Sequence, residues 1–142
     1  MTYYLPVLFA TAIFCYILGS FSVLIPRRHQ LFAHYLAQIM SIMGSTFILI
    51  SALYYLLTGT TTLIKVAFVG KYMLAIDSWN AVFLCITGLV GILTSIYAAD
   101  YALGYIGKRL RELSGLWNLF LLSMALVLVA QSVVSFLVSW EV

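Results

Sequence analysis

The chain has 142 residues, of which 65% are hydrophobic and only 8% charged, and its mean hydropathy is +1.13. A water-soluble domain carries about 25% charged residues, so this composition excludes an ordinary soluble enzyme and places the chain in lipid. The net charge of +3 is too small and too unevenly spread for a nucleic-acid surface, and no nucleic-acid partner is expected.

At about 20 residues per membrane span, the length allows four or five helices. The expected fold is all-α: a polytopic membrane protein with four transmembrane helices plus the start of a fifth, in a single membrane domain. Cys15 and Cys85 fall inside apolar runs and read as small buried hydrophobes rather than as a disulfide or metal pair. The N-terminus lacks the positive region of a cleaved signal peptide, so the first helix is expected to be retained. No phosphate-binding loop, dinucleotide glycine pattern or metal cluster is visible.

The first helix is predicted over 3–25, with Pro6 tolerated in its first turn and Pro26 ending it. Thr11, Cys15 and Gly19 recur every four residues, a small-residue stripe suited to close helix packing. The second helix is predicted over 31–57. Its polar residues His34, Gln38, Ser41 and Ser45 share one face, which admits two readings. One is a hydrated proton path entering beside His34; the other, preferred, is a seam of interhelical hydrogen bonds.

Residues 58–77 are too short and too charged for another span. Two short extended pieces turning at Gly70-Lys71 fit them better, with an interfacial helix as the alternative. The third helix is predicted over 78–101, with Asp77 or Ser78 as its N-cap and a small-residue face formed by Thr87, Gly88, Gly91, Thr94 and Ser95. Asp100 is expected to be solvated at its far end. Residues 103–114 are expected as a basic connection, possible as a short surface helix.

Arg27, Arg28, Lys108, Arg109 and Arg111 fall after the first and third helices, against Lys65 and Lys71 after the second. The positive-inside rule therefore puts the N-terminus outside and the loops 26–30 and 102–115 in the cytoplasm. The remaining residues allow two readings. From Leu116 to Trp140 run about 25 largely apolar residues, about 37 Å of helix, which hydropathy alone favours as one tilted span with Glu141 in water. Alternatively, Ala130-Gln131-Ser132 is a turn, helices occupy 116–130 and 133–142, and Glu141 lies about 12 Å into the bilayer.

Asp77-Ser78-Trp79-Asn80-Ala81-Val82-Phe83-Leu84, Gly88-Leu89-Val90 and Ser95-Ile96-Tyr97 resemble the third-helix region of antiporter-like membrane subunits. Asn118-Leu119-Phe120-Leu121-Leu122-Ser123-Met124 and Phe136-Leu137-Val138-Ser139-Trp140-Glu141 resemble the helices that follow in the same family. That family comprises proton-pumping subunits of respiratory complex I, cation/proton antiporter subunits, and the large membrane subunits of formate hydrogenlyase and related energy-converting hydrogenases. The Asn118–Met124 wording leans toward the hydrogenase branch, and the resemblance is stronger from Asp77 onward than in the first two helices.

The resemblance implies an N-terminal portion of a proton-handling subunit in a prokaryotic inner membrane, with Glu141 in proton translocation. It also implies partners: other membrane subunits, including whatever completes the fifth helix, with nickel-iron, flavin or iron-sulfur centres in partner subunits and no cofactor in this chain. Family members have about fourteen helices, and the intramembrane lysine that partners the glutamate has no counterpart here. The competing expectations are a structural four-helix anchor or assembly subunit, and a monovalent cation/proton antiporter component working without redox partners.

Overall fold

A computed structural model describes residues 4–59, 62–66, 72–106, 109–130, 136, 137, 140 and 141. Its architecture is the all-α polytopic one that the composition demands. Helix α1 spans Tyr4–Ser20, α2 Gln30–Thr58, α3 Ser78–Tyr101 and α4 Leu110–Val129. With their flanking 3-10 turns, the four helical segments Leu5–Leu24, Arg27–Thr58, Ser78–Tyr105 and Leu110–Val129 are each long and apolar enough to cross a membrane. α2 packs against α1, α3 and α4 and so forms the centre of the bundle.

Each helix end has a local cause. α1 tightens into a 3-10 turn at Phe21–Leu24, because Pro26 drives Ile25 out of the helical region to φ −65°, ψ 135°. A second 3-10 turn, Arg27–His29, leads directly into α2. α2 stops at Gly59, whose φ of +64° is a left-handed conformation that glycine adopts without a Cβ penalty. The Gly59 N–H donates to the Tyr55 carbonyl at 2.8 Å.

Between α2 and α3 the chain forms two antiparallel strands, β1 (Thr62–Val66) and β2 (Tyr72–Ile76), in register from Thr62 opposite Ile76 to Val66 opposite Tyr72. These are the two extended pieces expected there; the turn at Gly70-Lys71 lies outside the described residues. Asp77 caps α3, its Oδ1 accepting the Asn80 N–H at 2.8 Å.

α4 begins at Leu110, six residues before the position read from hydropathy. Its first turn holds Arg111 and Glu112, which the sequence placed in a basic connection or short surface helix before the span. Arg111 instead lies along the bundle and donates from Nη1 to the Ile25 carbonyl at 2.6 Å, tying the end of α1 to the start of α4. Its Nη2 donates to Glu112 Oε1 at 3.0 Å. The only regular structure among the described residues of the connection is a 3-10 turn, Ala102–Tyr105.

α4 ends at Val129, and Ala130 is extended at φ −68°, ψ 122°. A single helix running from 116 to 140 is therefore not what the chain forms. Of the expected fifth helix, 133–142, Phe136, Leu137, Trp140 and Glu141 are described and are helical. The Phe136 and Trp140 rings stack at 6.1 Å, the spacing of residues one turn apart. The rest of that stretch lies outside the described residues.

Small residues set the closeness of the helices. Gly88 and Gly91 of α3 lie against Ser45 and Leu49 of α2, where an added Cβ would come within 3.0 Å of the Ser45 carbonyl and 2.4 Å of its hydroxyl. Gly44 faces the Tyr16 ring, and Gly115 of α4 seats on Val23 and the Ser20 carbonyl. Without a hydrophobic drive between helices in lipid, such contacts supply the packing energy. Cys15 is buried and Cys85 half-buried, both as free thiols.

Candidate functional site

The polar face of α2 is the interior of the bundle. His34, Gln38, Ser41 and Ser45 are all buried, His34, Ser41 and Ser45 completely. Their i, i+4, i+7, i+11 spacing keeps them on one side of the helix, and α1, α3 and α4 close over that side.

His34 sits near the start of α2, between α3 and α4. Its Nε2 is 3.0 Å from the Ala99 carbonyl, which only accepts, so Nε2 carries a proton and donates. Its Nδ1 lies 2.6 Å from the Ser114 hydroxyl. That hydroxyl is also 2.8 Å from the Leu110 carbonyl but has one proton to give. A neutral imidazole takes that proton at Nδ1.

Further along α2, the Ser41 and Ser95 hydroxyls meet at 2.5 Å, and Trp117 Nε1 donates to Ser95 Oγ at 3.2 Å. One turn beyond, Tyr16 of α1 and Ser45 share a hydrogen bond of 2.9 Å. Asn118 of α4 is completely buried between the His34 and Ser41 levels and donates from Nδ2 to the Ala37 and Ser114 carbonyls at 3.0 and 3.1 Å. The partners of α2 are therefore Ser114, Ser95, Tyr16 and Asn118. Of these only Ser95 carried a face signal in the sequence, as part of the small-residue face of α3, although Asn118 stands out as a lone amide in an apolar run.

Glu141 occupies a different place. It lies exposed at the end of the chain beside the outer face of α4, in a groove of about 570 Å³ whose walls include Leu116, Phe120, Met124, Leu128 and Trp140. α4 stands between this groove and His34, since Ser114 and Asn118 point inward while Leu116 and Phe120 point outward. The structure does not bring Glu141 and His34 together. No cation lines the groove among the described residues.

The basic residues gather at one end of the bundle. Arg27 and Arg28 precede α2, while Arg109 and Arg111 open α4. Glu112 joins this cluster, 3.0 Å from Arg111 and 3.9 Å from Arg27. The hairpin and the Asp77 cap lie at the opposite end. Among the described residues, no three His, Cys, Asp or Glu side chains are grouped so as to hold a metal ion. No protein-family model matches the sequence, and no curated protein matches it either.

Proposed function

We propose that the chain is a membrane subunit of a proton-translocating oxidoreductase complex, of hydrogenase or NADH dehydrogenase type, and contributes part of the proton path. The observation that carries this reading is Glu141: a carboxylate beside an apolar groove on the outside of α4, with no cation lining it among the described residues. An acid facing hydrocarbon is costly unless it is protonated or paired, and intramembrane acids mark ion or proton pathways. The partner for Glu141 is a cation on a neighbouring subunit, and the redox centres belong to further subunits. The buried line from His34 to Ser45 adds groups that carry exchangeable protons along the bundle interior. By the positive-inside rule the end bearing Arg27, Arg28, Arg109 and Arg111 faces the cytoplasm of a prokaryote, and the N-terminus faces outward.

Inverted membrane vesicles containing the assembled complex test this, with proton uptake followed by a pH-sensitive dye under hydrogen, formate or NADH. Glu141→Gln is expected to lower uptake at least about tenfold at unchanged abundance of the chain, within the usual effect of losing a proton-transfer group. Full uptake in that variant removes the reading and favours a structural four-helix anchor. A sodium-dependent pH change with no reductant favours an antiporter component instead.

A further inference from the structure

We propose that the basic-end third of the bundle binds an ordered internal water molecule, held by Ser22, Gln38 and Asn118 from three different helical segments. The Ser22 hydroxyl, Gln38 Oε1 and Asn118 Oδ1 are all buried and have no hydrogen-bond partner among the described residues. Their residues are 1%, 3% and 0% exposed. Buried polar atoms are almost always satisfied, and internal waters are the usual partners of those the chain leaves over.

Helix rise sets the three residues at about one height in the bundle. Tyr16 meets Ser45 across the antiparallel α1–α2 pair. Ser22 lies six residues further along its segment and Gln38 seven residues back along α2, about 10 Å in each case. The Asn118 amide is anchored at the same height by the Ala37 carbonyl, next in sequence to Gln38. Its orientation is fixed, because Nδ2 faces two carbonyl acceptors and a flipped amide would set oxygen against oxygen. Oδ1 therefore points at Gly19 of α1, one turn before Ser22, where an added Cβ would stand only 2.2 Å away.

The chemistry matches water in number and sign. The two amide oxygens accept the two water protons, and the Ser22 hydroxyl donates to the water oxygen, making the three bonds typical of an internal water. A bound cation fits less well. Among the described residues the donor set holds no carboxylate, and the guanidinium of Arg111, whose buried Nε has no partner among them either, lies toward the same end of the bundle.

The water has a consequence for the polar seam. Gln38 is one turn from both His34 and Ser41, so it falls between the His34–Ser114 and Ser41–Ser95 pairs. Water at this level supplies exchangeable protons in an interval of the seam where α2 itself offers only the Gln38 amide. This step rests on the proton-path reading; the water site itself does not.

Crystals of the full chain grown in a lipid mesophase test the site directly. A single solvent peak within hydrogen-bond distance of Gln38 Oε1, Asn118 Oδ1 and Ser22 Oγ is expected. Direct side-chain bonds with no peak, or an anomalous signal there after rubidium soaking, would overturn it. Thermal unfolding in detergent of Gln38→Met, Asn118→Leu and the double variant gives a second measurement. A shared water makes the double variant no less stable than the weaker single one, and additive losses count against it. If Gln38→Met loses the peak but keeps proton uptake in vesicles, the water stands and its part in a proton path falls.

Discussion

At the scale of single residues, the contact between Gly19 and Asn118 is a tight constraint. A methyl group at position 19 would overlap the Asn118 amide, with 2.2 Å to Oδ1 and 2.4 Å to Cγ. The amide cannot turn away without leaving the Ala37 and Ser114 carbonyls unpartnered. Gly19→Ala is therefore expected to cost about 1–3 kcal/mol, the usual range for overpacking, measurable as a lowered unfolding midpoint in detergent. Gly104→Ala is the matching control, because nothing lies within 4 Å of a Cβ built there. The stripe Thr11, Cys15, Gly19 identifies position 19 as a packing site from sequence alone. That its neighbour is an amide rather than an apolar side chain depends on α4, about a hundred residues away, and no local pattern carries that information.

At the scale of elements, some helix limits are legible in the sequence and others are not, for reasons that differ from end to end. α3 starts where Asp77 caps it because capping is a local interaction between a side chain and an amide three residues on. Asp77→Ala should free the Asn80 N–H and cost about 1 kcal/mol, seen as faster hydrogen exchange of the Trp79–Ala81 amides with the rest of α3 unchanged. The start of α4 is less legible. Arg109, Arg111 and Glu112 read as a basic connection or short surface helix before the span, yet α4 includes Arg111 and Glu112 because the arginine finds the Ile25 carbonyl on another segment. The end of α4 lies at Val129, where Ala130 turns to an extended conformation. Along α2 the helical period alone gathers His34, Gln38, Ser41 and Ser45 onto one face. Their partners Ser114, Ser95 and Tyr16 emerge only when four helices are packed.

At the scale of the whole molecule, the charge distribution gives the bundle a direction. Arg27, Arg28, Arg109 and Arg111 cluster at one end, and the β1–β2 hairpin lies at the other. In a background with Cys15 and Cys85 replaced by alanine, Arg28→Cys should react with an impermeant thiol reagent only from the cytoplasmic side. Thr58→Cys, at the end of α2, should react only from outside. The reversed pattern would invert the topology proposed from the charge count.

The unequal lengths of the helices carry a further consequence. α4 has 20 residues, about 30 Å, which matches a hydrocarbon core of similar thickness. α2 has 29 residues, about 43 Å, and its lipid-facing side stays apolar from Leu31 and Phe32 to Leu56 and Leu57. That face runs about 39 Å from Leu31 to Leu57, so to hide it α2 must lean by about 40°, the upper end of the range for membrane helices, or draw the surrounding lipid into a thicker collar. The bundle is thus a wedge in hydrophobic height, tall along α2 and short along α4. The neighbouring subunit proposed to cover the groove beside Glu141 would meet the short side, where ordinary lipid already fits and little elastic strain has to be released on docking.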